Sequence, residues 1–173
     1  TPEVGLAFIP LNDQLASVKG ALNAVSYVGE PVQTCICIGP GAGAGPTSSA
    51  VLADIIDVAK GLDNFAYGIA VASLDEQSNA EHQLAKQCFY IRISVADKPG
   101  VLSEVTAILR DHNVSIASMM QHGHAQDKPV FLVLTSHECS RLDVNNAVAQ
   151  ISELSTIYDM PMAIPIFETG YFG

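Results

Sequence analysis

The sequence predicts an α+β fold: a C-terminal half in the order βαββαβ, preceded by a partial α/β segment. Three observations point there. Phe89, Ile91, Ile93 and Val95 alternate with Tyr90, Arg92 and Ser94, the signature of a strand with one buried face. Val101, Val105, Ile108 and His112 follow at helical spacing, with Leu102 and Leu109 widening the stripe. The same two periods then recur. Val114 to Gln121 and Val130 to Ser136 read as strands joined by a polar loop from His122 to Pro129. Val144, Ala147, Val148, Ile151 and Leu154 then mark a second helix. Ala163 to Phe167 closes the sheet, and Pro165 suggests an edge position there. This order is the ferredoxin-like arrangement, two helices packed on one face of an antiparallel sheet.

The first half is less regular. Leu6-Ala7-Phe8-Ile9-Pro10 reads as a short strand stopped by proline. Leu22 to Val28 and Thr34 to Ile38 are further extended candidates, and Gly39 to Pro46 reads as a loop. A helix is expected from about Thr47 to Lys60, capped by Thr47 or Ser48, striped by Val51, Ile55 and Val58, and stopped by Gly61. Phe65 to Ala72 is a weak strand candidate, and Gln77 to Gln83 is polar and aperiodic. The expected organisation is a first region over 1–76, a linker over 77–86 and a second domain over 87–173.

Composition narrows the function. With 49% hydrophobic and 15% charged residues, the chain can build a packed core and does not read as disordered. A net charge of −10 argues against a nucleic-acid partner, because phosphates reward Lys and Arg. No apolar run is long enough to span a membrane, and no basic amphipathic stretch points to its surface. Four cysteines without a dense framework fit a reducing cytoplasm. Cys35 and Cys37, two apart in a strand-like run, are expected to share a face as small apolar residues. The start at Thr1-Pro2 fits a fragment, a processed chain or an engineered start equally well.

Asp97-Lys98-Pro99-Gly100-Val101-Leu102 joins the first strand of the second half to its helix. Exposed N–H groups and the helix dipole at such a start suit a small carboxylate, and Asp97 can accept hydrogen bonds from an ammonium group. The plainer reading is a tight turn leading into a helix.

Gly39, Gly41 and Ala44 satisfy G-x-G-x-x-G/A between a strand and a helix, which alone suggests a dinucleotide fingerprint. Too little chain follows to complete a doubly wound sheet. Other lures are weaker. His122, His124, His137 and Cys139 match no common zinc spacing, so no metal is expected. Ser48 and Ser49 lack an evident base, and Asp54 and Asp57 with Lys60 read as a solvent face. No catalytic residue is assigned.

The run Ile93 to Leu102, then Ile108-Leu109, Asn113-Val114-Ser115-Ile116 and Met119-Met120-Gln121, resembles an ACT domain over its whole length. Such domains usually pair side by side and bind an amino-acid effector at their interface. The resemblance implies that Asp97, Gly100, Val101 and Leu102 line the effector pocket. Asn113 and Ile116 would close it, against a partner chain if the domains pair.

Leu6 to Pro10, Leu15 to Val18, Asn23-Ala24-Val25, Gly39 to Thr47, Ser49-Ala50-Val51 and Ala53-Asp54-Ile55 are, in that order, similar to the end of the homoserine dehydrogenase catalytic region. With the ACT-like half, the resemblance covers nearly all 173 residues. It implies that Gly41, Ala42 and Gly43 lie beside an NAD(P) cofactor, with Gly43 touching it. Pro40 stands where bacterial relatives commonly carry Arg. The family's dinucleotide fingerprint and its substrate-binding lysine and acids find no match here, so this chain alone is expected to be inactive and to bind no cofactor tightly. The expected effector is L-threonine, the expected assembly a homodimer through the ACT domain and the catalytic-region sheet, and the expected location the cytoplasm. The alternative is a stand-alone amino-acid-binding module acting on a partner protein.

Overall fold

The structure, a computed structural model, describes residues 4–61, 71–73, 86–122 and 129–167. The chain divides into two units: the described parts of Thr1–Pro10 with Ser78–Phe167, and those of Leu11–Gln77.

In the C-terminal unit the central strand is β3 (Lys86–Val95). Its side chains alternate, and Phe89, Ile91 and Ile93 are fully buried on one face. Ser94 breaks the alternation, because it is buried on the opposite face. The cause is local. The Tyr158 N–H donates to the Ser94 carbonyl at 3.0 Å, and Val95 bridges Ile157, so residues 157–158 run alongside the end of β3.

Helix α2 (Val101–Asp111) follows, burying Val101, Val105, Ile108 and Leu109. It ends at His112, whose Nε2 meets the Gln150 Oε1 at 2.8 Å and ties α2 to the second helix of this unit. Asn113 then adopts φ 58°, the left-handed residue that commonly follows a helix. β4 (Ile116–His122) and β5 (Val130–Ser136) come next. A two-residue strand β6 (Cys139–Ser140), which periodicity does not reveal, pairs with Lys86 and Gln87 at the start of β3.

Ser140 caps α3 (Arg141–Ser152), its hydroxyl accepting from the Asp143 N–H at 3.1 Å. The last strand is β7 (Met162–Ile166). β3 pairs antiparallel with β5 and with β7, and β4 pairs with the far side of β5. β4 is therefore one outer strand and β7 the other, as Pro165 suggested. The core joins Phe89, Ile91, Ile93, Leu132 and Leu134 of the sheet to Val105, Leu109, Val144 and Ile151 of the helices.

The other unit holds a 3-10 turn (Gln14–Ser17), a hairpin of β1 (Leu22–Gly29) and β2 (Gln33–Pro40), and α1 (Ala44–Ala59). None of its described residues is buried. The loop expected over 39–46 is shorter than that. β2 runs through Pro40, and α1 begins at Ala44, a turn before Thr47. Pro46 fits because the first helical turn needs no N–H from it. Neither Thr47 nor Ser48 caps the helix: Gly43 occupies that place with φ 121°, and the Ser48 hydroxyl donates to the Gly45 carbonyl at 3.0 Å. Gly61, at φ 62°, follows the end of α1 as expected.

The strand expected at Leu6–Pro10 reduces to one bridge, at Phe8. The strand candidate from Phe65 falls largely outside the described residues, and Val71–Ser73 is a 3-10 turn. The polar stretch Gln77 to Gln83 lies outside them too. No helix among the described residues is long and apolar enough to cross a membrane.

The burial of β3 gives a direct test. Ile93→Ala should destabilise the C-terminal unit by about 2–5 kcal/mol, whereas Met119→Ala, on the outer strand, should stay within about 0.5 kcal/mol in the unpaired chain. Urea unfolding of both variants reads the difference.

Candidate effector and cofactor-facing sites

The Asp97 turn owes its position to the end of β3. Strand pairing stops at Val95, the Ala96 N–H donates to the Thr156 carbonyl at 2.8 Å, and the Lys98 N–H closes back on the Ala96 carbonyl at 2.9 Å. The chain thus reverses around Asp97 and enters α2 through Gly100, at φ 96°. An L side chain is strained there, so glycine belongs at this entry. Gly100 has no side chain with which to cap α2, and the Val101 N–H turns back to the Lys98 carbonyl at 3.5 Å. Val101 is buried beneath the turn, while Asp97, Gly100 and Leu102 are exposed.

One residue at this end was not singled out from sequence. The Gln121 Nε2 donates to Asp97 Oδ1 at 3.4 Å, so the end of β4 reaches the turn. The signal was available only in part. Gln121 lies in the ACT-like run, but its approach to Asp97 depends on the strand order. Asp97, Gly100, Val101, Leu102 and Gln121 together combine an acidic acceptor, helix N–H donors, an amide and an apolar wall. That set matches the ammonium, carboxylate and side chain of a free amino acid.

Asn113 and Ile116 are not brought to this place within one chain. They follow the other end of α2, about 16 Å away along a helix of that length. Asn113 also has a local explanation, since it takes the left-handed conformation after α2 and its N–H donates to the Arg110 carbonyl at 2.9 Å. Ile116 is half-buried against the core. A pocket using all six sequence-predicted residues needs a second copy of the chain.

In the other unit, Gly41, Ala42 and Gly43 form the exposed connection between β2 and α1. The Gly41 N–H donates to the Ala21 carbonyl at 3.3 Å, and the Asn23 carboxamide lies directly on its Cα, where any Cβ would collide with it. α1 starts here from Gly43, which has no side chain to cap it. Backbone of this kind fits one wall of a dinucleotide site.

Among the described residues no three His, Cys, Asp or Glu side chains could hold a metal. His122 is described only in its backbone, and His124 lies outside the described residues. His137 is exposed whereas Cys139 is buried in the core. Burial pushes the Cys139 thiol above its usual range, and the Ser136 hydroxyl at 3.5 Å pulls the other way. On the hairpin, Cys35 pairs with Tyr27 and Cys37 with Val25. Hydrogen bonding to the Cys35 thiol raises the Tyr27 phenol.

The ACT domain family matches residues 89–156, and the homoserine dehydrogenase family matches residues 1–56. The chain is 31% identical over 156 residues to homoserine dehydrogenase of Pseudomonas aeruginosa, covering 86% of this chain and 36% of that protein. Against homoserine dehydrogenase of Mycobacterium tuberculosis it is 30% identical over 168 residues, covering 95% of this chain and 38% of the other. The crystal structure of a homoserine dehydrogenase from Thiobacillus denitrificans superposes with a TM-score of 0.78 at 30% identity, over 95% of this chain and 38% of that one. The chain thus spans little more than a third of the length of these relatives.

The two left-handed residues flanking α2 make opposite predictions. Gly100→Ala should cost about 1–2 kcal/mol, because alanine must adopt φ 96°. Asn113→Gly should be neutral or stabilising, because glycine accepts φ 58° freely. Urea midpoints of both variants read the signs.

Proposed function

Because the chain corresponds to the C-terminal region of homoserine dehydrogenases, ending in an ACT domain, we propose that it is the regulatory portion of such an enzyme. The parent reaction is the NAD(P)-dependent interconversion of L-homoserine and L-aspartate 4-semialdehyde, in the synthesis of threonine, methionine and isoleucine. Its ACT domain senses L-threonine, and the enzyme works in the cytoplasm. The observation that carries the effector reading is the turn at the end of β3, where the Gln121 amide reaches Asp97 just ahead of the start of α2.

The chemistry fits threonine group by group. The Leu102 and Ser103 N–H groups, in the first turn of α2, take the carboxylate, with the helix dipole behind them. Asp97 faces the ammonium group, and Leu102 borders the side chain. A second chain, paired through the outer strand β4, brings its own Asn113 and Ile116 to close the pocket. The exposed Met119 and Met120 of β4 support pairing there, since an open strand edge with apolar side chains invites a partner strand. The dimer extends through the sheet of the catalytic region.

When bound, the cofactor supplies hydride transfer. Gly41, Ala42 and Gly43 contribute backbone to one of its walls, held in shape by Asn23, and no side chain of this chain handles the substrate proton. The 173 residues alone are therefore inactive and bind the cofactor weakly. Threonine acts on the parent enzyme by favouring one arrangement of the dimer and so repositioning the glycine loop. It does this only to the extent that its affinity differs between the two arrangements. The other reading, a module acting on a separate partner protein, keeps the same effector site.

A thermal-shift titration tests the effector reading, with isoleucine, methionine, lysine and serine as controls. L-threonine at a hundred times its dissociation constant should add about 2.7 kcal/mol to stability. The same sample should give no NAD(P)-dependent oxidation of homoserine. A rise common to every amino acid contradicts threonine sensing, and measurable turnover contradicts the inactive assignment.

A further inference from the structure

We propose that residues 4–10 are a strap, docked by Phe8 on the β7 edge of the ACT sheet, which carries the effector state into the unit that begins at Leu11. The inference rests on the effector reading above and adds to it the route by which the signal leaves the ACT domain.

The docking is bidirectional. The Phe8 N–H donates to the Pro165 carbonyl at 2.9 Å, and the Phe167 N–H donates to the Phe8 carbonyl at 2.8 Å, which makes a parallel bridge between Phe8 and Ile166. The Phe8 ring lies 4.8 Å from the Tyr90 ring, tilted by 57°. Tyr90 belongs to β3, the strand that runs on to the Asp97 turn, and it pairs with Ile164 of β7. The strap therefore touches the strand that builds the effector site and the strand beside it.

Two features separate the strap from an ordinary terminal strand. The homoserine dehydrogenase family match runs over residues 1–56, so it includes the strap, the hairpin, the glycine loop and most of α1. The strap is nevertheless built into the unit that carries the ACT match, and it divides from its own continuation at Pro10. The attachment is also slight, because Val4 and Leu6 are exposed and, among the described residues of the strap, only Phe8 bridges the edge. One bridge and one ring contact make a joint that a small change in β3 or β7 can release. From Leu11 the chain leads through the 3-10 turn to β1, whose Asn23 pairs with Gly39 and lies on Gly41.

The test has two parts. In the 173-residue chain, amides at positions 8 and 167 should be measurably protected in the wild type, though less than those of β3 and β5. Their exchange should be at least tenfold faster in Phe8→Ala, with β3 and β5 amides unchanged as proof of folding. In the complete gene product, Phe8→Ala should raise the threonine concentration for half-inhibition at least tenfold, while the rate without threonine stays within twofold. Phe8→Leu, which keeps bulk without the aromatic face, should fall between the two. Rapid exchange at both positions in the wild type, or unchanged inhibition in Phe8→Ala, overturns the proposal. Protection at both positions in an enzyme that no amino acid inhibits overturns the effector reading, and the coupling with it.

Discussion

Everything described in the C-terminal unit is organised by the burial of one face of β3. Phe89, Ile91 and Ile93 lie against Val105 and Leu109 of α2 and Val144 and Ile151 of α3. The strand is hydrogen-bonded on both sides, to β5 and β6 and to β7. A one-residue slip would turn those side chains outward, so the register is fixed. With the register fixed, the strand must end where its partners end, and the chain must turn at Ala96 and Asp97 to reach α2. The candidate effector site is a consequence of that exit. Its acidic side chain, left-handed glycine and helix start are all set by where β3 stops.

The same strand links the two ends of the domain. At its far end the Phe89 N–H donates to the buried Ser136 hydroxyl at 2.9 Å, beside the Ile116 end of β4. Its next residue, Tyr90, carries the Phe8 ring. A domain built this way has a rigid centre and small attachments at its rim, which suits a regulatory part. The other unit is different in kind. Its hairpin and α1 expose Val25, Val28, Ile38, Val51, Leu52, Ile55 and Ile56, and a two-stranded hairpin has little stability of its own in water. Its features are local ones, above all Asn23 lying on Gly41.

How much of this was legible in the sequence follows from the length over which a pattern repeats. β3, α2 and α3 each carry four or more apolar positions at a constant period, β5 carries Val130, Leu132 and Leu134 at period two, and the structure forms all four elements there. The turn from Asp97 to Leu102 was legible because proline and glycine fix the backbone there. What failed was short or depended on partners distant in sequence. β6 is two residues long, and the Phe8 bridge is one. Gln121 meets Asp97 only once β4, β5 and β3 are in order. The start of α1 was placed a turn late because Gly45 and Pro46 read as breakers, although both are harmless in a first turn.

The most direct test of the account is an amide NMR titration of this chain with L-threonine. The account predicts saturable shifts confined to Asp97 through Leu102 and the Gln121 end of β4, joined by Asn113 and Ile116 in samples where the chain is paired. Shifts centred on Gly41 to Gly43, or saturable shifts elsewhere with the β3–α2 turn unchanged, would contradict it.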